Sequence, residues 1–170
     1  MAHGKRQRNN YRRRLESKTD YHRRLRLLKS GAPRAVVRIS NSQITCQLTN
    51  YSKDGDHVLT SFTGKELQKH GYPTDASKKS VPASYLAGFA LGKKALSNGI
   101  NEAILDIGLS SASSGSRVFS ALKGMVDAGL EVPHGEEVLP SDERINGEHI
   151  SESLSKVLEK TKKSIEVAFK

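Results

Sequence analysis

All of the net charge of this chain sits in its first 38 residues. Between Met1 and Arg38 there are thirteen Lys or Arg, opposed only by Glu16 and Asp20. The rest holds 15 basic and 16 acidic side chains and is close to neutral. So dense a cationic arm repels itself, and Met1 to Lys18 has almost no apolar side chains to bury. A core must therefore come from the remaining residues, and the arm needs a polyanion. Nucleic acid, with one phosphate per nucleotide and releasable counterions, is the best candidate. Arginine outnumbers lysine here, which favours bidentate phosphate contacts and stacking over point-charge attraction.

The chain of 170 residues suffices for one domain plus tails. It has no Trp, and aromatics are only 5%, which argues against an aromatic stacking platform as the main mode of binding. Cys46 is the only cysteine, so no intrachain disulfide forms and a reducing compartment suits the chain. It falls in a predicted strand and reads as a buried inert thiol. The basic N-terminus is not followed by an apolar run, so it does not read as a signal peptide. No stretch of about 18 apolar residues points to a membrane span. A cytoplasmic protein is expected.

The arm should be disordered when free and order on its partner. Thr19-Asp20 can cap a short helix carrying Tyr21, Leu25 and Leu28 at helical spacing, and Gly31 ends it. From Arg34 the period becomes two. Ala35, Val37 and Ile39 point one way, and Arg34, Val36 and Arg38 the other. After a turn at Ser40-Asn41-Ser42, Ile44, Cys46 and Leu48 continue the apolar face. Gln43, Thr45, Gln47 and Thr49 lie opposite. Asp54-Gly55 marks the turn into a third strand over 57–63. A short helix is expected over 64–70. Ser80 and Pro82 open a longer helix that ends at Asn98-Gly99. Its Ala and Gly residues imply close packing on the sheet. Ala103 to Ile107 reads as an interior strand reached by a helical crossover.

Ser116 can cap a helix whose buried stripe is Val118, Phe119, Leu122, Met125 and Val126, with Gly129 as its stop. Mixed loop follows. A last helix near Glu148 places Ile150, Leu154, Val157 and Leu158 on one side, and Lys160 to Lys170 reads as a frayed tail. The order describes a two-layer α/β sandwich of three antiparallel strands plus a parallel fourth. It divides into a basic arm over 1–33, a globular domain over 34–147 and a C-terminal helix and tail over 148–170.

Three features carry possible chemistry. In the arm, Arg12, Arg13, Arg14, Lys18, Arg23, Arg24 and Arg26 suit phosphate neutralisation, while Tyr11 and Tyr21 suit stacking on unpaired bases. The alternative is a solvated basic tail. On the hairpin, Arg34, Arg38, Ser40, Asn41, Gln43, Thr45 and Gln47 can meet phosphates and ribose hydroxyls, or form an ordinary wet sheet face. Gly115-Ser116-Arg117 opens a helix at a small-residue loop, which makes either an anion site or a plain cap, with Arg117 and Lys123 adding a basic spot. Asp106 interrupts an apolar strand. A nuclease would need several clustered carboxylates, and none is recognisable, so a hydrogen-bonded structural Asp is expected. The six histidines show no metal spacing, and no cofactor or metal is expected.

Longer blocks carry a family likeness. They are Tyr21-His22-Arg23-Arg24-Leu25-Arg26-Leu27-Leu28-Lys29-Ser30-Gly31, Pro33-Arg34-Ala35-Val36-Val37-Arg38 and Ala103-Ile104-Leu105-Asp106-Ile107-Gly108-Leu109. The most specific is Gly115-Ser116-Arg117-Val118-Phe119-Ser120-Ala121-Leu122-Lys123-Gly124, followed by Asp127-Ala128-Gly129-Leu130 and Pro133-His134. Over nearly its whole length the chain resembles the archaeal branch of the ribosomal L-eighteen family, whose eukaryotic counterpart is called L-five. The resemblance implies a non-catalytic α/β sandwich of ribonuclease-H-like topology. It implies a large-subunit component that binds 5S ribosomal RNA and docks it onto the large-subunit RNA in the central protuberance, beside other ribosomal proteins. By matching positions, it implies RNA contacts at Arg23, Arg24, Arg26, Arg34, Arg38, Ser40 and Asn41.

Overall fold

The two periodicities of the sequence become two layers. The structure, a computed structural model, describes Gly4 and residues 8–169. The expectations for the arm's Lys5 and Arg6 and for the terminal Lys170 lie outside the described residues.

The sheet is built from β1 (Arg34–Ile39), β2 (Ile44–Asn50), β3 (His57–Thr63) and β4 (Ile104–Asp106). Its order is β3-β2-β1-β4, antiparallel within the first three and parallel between β1 and β4. The register sets Val37 opposite Cys46 and Val36 opposite Asp106. Alternation then does as the sequence requires: Ala35, Val37, Ile44, Cys46 and Leu48 are all buried on one face. Burial pushes the Cys46 thiol up to about 12, so it is inert at neutral pH.

That face is covered by α3 (Val81–Ser97). The Ser80 hydroxyl accepts from the Ala83 amide, Pro82 sits in the first turn, and Gly99 in the left-handed region follows the end. α4 (Arg117–Asp127) lies against α3, and the contact explains the small residues. A Cβ on Gly88 would stand 2.0 Å from the Ala121 carbonyl oxygen, and one on Gly124 would stand 2.1 Å from that of Tyr85. The glycines of α3 therefore serve helix-on-helix contact with α4, not packing on the sheet as expected. Nothing else lets the two backbones touch.

Three segments depart from expectation. The one-turn helix α1 (Arg12–Leu15) lies inside the arm expected to be disordered. Within the mixed loop after Gly129 there are a 3₁₀ turn at Glu136–Val138 and α5 (Asp142–Asn146). The last helix, α6 (Glu152–Ala168), starts later than expected and does not fray at Lys160. Thr161 and Ile165 are fully buried against the rest of the core, and Lys162 lies 4.8 Å over the Phe89 ring of α3. Apolar burial and this cation–π contact hold the tail in place. Ile150, expected on the buried side, precedes α6 and is exposed.

Candidate nucleic-acid interface

The second face of the sheet carries Arg34, Val36, Arg38, Gln47 and Thr49, and α2 (Tyr21–Leu28) lies over it. Asp20 caps α2, accepting from the amides of His22 (2.9 Å) and Arg23 (3.1 Å). Between helix and sheet is a cleft of about 530 Å³. Asp20, Arg23, Arg24 and Leu27 all line it, one row at helical spacing. The apolar stripe expected of this helix does not set its rotation, since Leu25 is 57% exposed. Polar contacts of Arg23 and Arg24 set it instead.

Those contacts form a ladder of alternating charge. Arg24 donates twice to Asp56, at 2.9 and 2.7 Å. Asp56, just before β3, also accepts from Arg34 at 2.5 Å. Arg34 donates its other terminal nitrogen to Asp106 at 2.7 Å. Asp106 accepts from Arg38 at 2.9 Å and from the Gly108 amide at 2.9 Å. Arg38 also donates to the Asp106 carbonyl at 2.6 Å. Arg23 closes the arrangement by donating to the Gly108 carbonyl at 2.6 Å. Gly108 has φ +62°, and a Cβ there would stand 2.8 Å from the Arg38 guanidinium carbon. The left-handed φ calls for glycine, and any side chain there would also push the Arg38 guanidinium aside.

Both carboxylates are held in the charged form. Hydrogen bonding from Arg24 lowers the Asp56 pKa against the opposing effect of burial, and Arg34 lowers it further. Burial pushes the Asp106 carboxyl up, but Arg38, the Gly108 amide and Arg34 outweigh it, and the pKa lies below the ordinary value. Asp106 is the hydrogen-bonded structural acid expected of it.

Arg34 differs from the other basic residues of the expected set. Expected among the RNA contacts, it is only 3% exposed, and each of its terminal nitrogens faces a carboxylate. Its alternation in β1 does point it away from the core, but the arm and the Asp56 turn cover that face. The cleft also gathers Arg13, Lys18, Tyr21, Arg23, Arg24 and Arg38 from the expected set. The Tyr11 ring lies tilted against Tyr21, with ring centroids 5.1 Å apart and an interplanar angle of 50°. Arg12, Arg14 and Arg26 are exposed away from the cleft.

The hairpin turn is separate from the cleft. Ser40 accepts from the amides of Ser42 and Gln43 and donates to the Gln43 carbonyl, so its hydroxyl shapes the turn. Gln43 accepts from the Lys65 amide. Asn41 is exposed and Thr45 half-buried. Arg117 is exposed, and Lys123 pairs with Asp142. Ser116 occupies the cap position of α4, yet its hydroxyl makes no capping bond. Sequence reasoning missed Asp56, Gly108, Thr19 and Leu109 as cleft residues.

A sheet with one face on helices and the other under a basic arm defines an α/β scaffold with its charged groups locked in mutual pairs. Comparison with known proteins narrows this. The family model described as "Ribosomal large subunit proteins 60S L5, and 50S L18" matches residues 5–102 and 97–135. The chain is 51% identical over 152 residues to the large ribosomal subunit protein uL18 of Methanothermobacter thermautotrophicus, covering 89% of this chain and 78% of that protein. It is 52% identical to uL18 of Methanoculleus marisnigri, covering 89% and 86%. Against uL18 of Korarchaeum cryptofilum it is 46% identical, covering 94% and 80%. The chain belongs to this uL18 family of large-subunit ribosomal proteins. Its place is the large ribosomal subunit.

Proposed function

We propose that this chain binds 5S rRNA and helps attach it to the large-subunit rRNA in the central protuberance, against neighbouring ribosomal proteins. The observation that carries the reading is the basic arm held over a polar sheet face. Arg12, Arg14 and Arg26 present guanidinium groups outward for phosphates, and Arg13 and Lys18 add theirs at the cleft. Arg23, Arg24 and Arg38 offer the edges their internal bonds leave over, and Tyr11 and Tyr21 offer rings to unpaired bases. Ser40, Asn41, Gln43 and Thr45 on the hairpin, and Arg117 and Lys123 on α4, are flanking contacts, Lys123 after release from Asp142. Arg34 acts from beneath. The three parts are the arm over 1–33, the domain over 34–147 and the C-terminal segment over 148–170, with RNA affinity concentrated in the first.

Asp106 bears on a nuclease reading. A catalytic metal would need its carboxylate oxygens, and both already accept from guanidinium groups. Salt dependence tests the RNA reading. With about eight phosphates neutralised, log affinity for 5S rRNA should fall with log salt at a slope of roughly −6 to −7. A slope near zero, or equal affinity for duplex DNA of the same length, overturns it.

A further inference from the structure

α2 is attached to the body by charge. It is eight residues long, and none of its side chains is fully buried. A helix this short does not persist alone in water, so its order comes from what it docks on. Its row facing the body is Asp20, Arg23, Arg24 and Leu27. Of these, Arg24 alone makes a two-pronged ion pair, and its partner is Asp56. Asp56 is itself fixed from below by Arg34, which rests on Asp106 and, through it, on Arg38. Arg24 is thus joined to a buried ladder through one carboxylate.

We infer that Asp56 is a positioning residue for RNA binding: its negative charge, set within a cationic surface, fixes α2 over the sheet and so presents the arm's outward arginines in a binding-ready arrangement. This rests on the RNA reading above. It reverses the simple electrostatic expectation. By Coulomb's law alone, removing Asp56 makes the surface more positive and strengthens attraction to phosphate. By positioning, removing it frees α2, and the apparent Kd rises as the docked fraction falls. Arg23, bonded to one carbonyl, and the half-buried Leu27 then carry the docking.

The test uses the full chain, 5S rRNA and fixed monovalent salt, with amide exchange of the free protein read alongside. Asp56→Asn should weaken binding about tenfold, the result of a docked fraction near one tenth. It should also speed exchange over residues 24–28 while leaving β2 and α3 protected. Asp56→Glu should recover affinity to within about threefold, because it restores the ion pair. In an Arg24→Gln background, adding Asp56→Asn should change affinity less than about twofold, because the two act as one unit.

Asp56→Asn binding as tightly as the native chain, or more tightly, overturns the inference. So does a full Asp56→Asn effect in the Arg24→Gln background, which would place the action on Arg34 instead. If Asp56→Asn loses its cooperative melt, Arg24→Lys decides. It keeps the charge and the Asp56–Arg34 pair but loses the two-pronged geometry. It should weaken binding and speed α2 exchange, and native affinity would overturn the inference. A native chain that does not bind 5S rRNA overturns the RNA reading as well. Native binding with Asp56→Asn at parity overturns this inference alone.

Discussion

Replacing Asp106 by Asn is the sharpest perturbation of the ladder. Asp106 is nearly buried and accepts from Arg34, Arg38 and the Gly108 amide. Asn has almost the same shape, but one of its two terminal groups is a donor. That NH₂ would face a guanidinium donor, whichever way the amide turns. With the NH₂ toward Arg34, that buried guanidinium keeps only Asp56; with it toward Arg38, Arg38 and the Gly108 amide lose their acceptor. Removing one partner of a buried ion pair costs about 3–5 kcal/mol. Asp56 still compensates Arg34 in part, so about 3 kcal/mol is expected here. For a chain of this size that lowers Tm by roughly 6–12 °C.

The pH dependence supplies an independent check. The folded pKa of Asp106 lies below its ordinary value, so the native state holds this proton less tightly than the unfolded chain. The stabilisation is complete above the unfolded value, about 4, and fades as pH falls through the lower folded value. Asp106→Asn cannot show this fading. The Tm difference between the two proteins should therefore be full at pH 7 and shrink below about pH 4. Asp56 titrates in the same direction and steepens the acid loss in both. Thermal melts by circular dichroism across pH 3–7 measure this. A Tm drop under about 2 °C at neutral pH, or a difference that widens in acid, would refute a stabilising role for the carboxylate. A nuclease role would instead leave the melt unchanged and abolish a cleavage activity.

Two further substitutions probe the layers beneath. Gly88→Ala improves helix propensity by about 1 kcal/mol, but its Cβ would stand 2.0 Å from the Ala121 carbonyl oxygen. A net loss of about 2 kcal/mol in urea unfolding is expected, and an equal or raised midpoint would contradict the α3–α4 contact. Ile165→Ala should cost about 2–5 kcal/mol, because Ile165 fills the core where a frayed tail was expected. A loss within about 0.5 kcal/mol would mean that α6 ends before it.

The sheet was legible because its signals are local. Alternation placed Ala35, Val37, Cys46 and Leu48 on one face, and Ser80, Pro82 and Gly99 bounded α3. What stayed hidden depends on partners distant in sequence. The α3 glycines announce close approach, but not whether a sheet or a helix approaches. Lys160 to Lys170 looks like a tail because it opens on three lysines and has few apolar residues beside Ile165, and only the docking of Ile165 on the core reveals the burial. Leu25 fell on the expected stripe of α2, yet the row of Asp20, Arg23, Arg24 and Leu27 faces the body. That row has the same helical spacing. Hydrophobicity alone gives no reason to prefer it, because its partners, Asp56 and the Gly108 carbonyl, are 32 and 85 residues away.

The burial of Arg34 was hidden for the same reason, and it sharpens the reading of the site. Arginine in a basic arm and arginine in a strand look alike in sequence, and both invite assignment to phosphate. The ladder separates them. Arg34 has no exposed edge to offer, while Arg24 and Arg38 are each bound on one side and open on another. A guanidinium has five donors in a planar fork, so one edge can hold a carboxylate while the other meets a phosphate. Lysine, a single point charge, would not divide its contacts in this way. An arginine-rich arm can therefore be ordered by the protein's own acids and still face RNA. The ladder's two carboxylates, Asp56 and Asp106, which by charge count oppose RNA binding, are what give the arginines a direction.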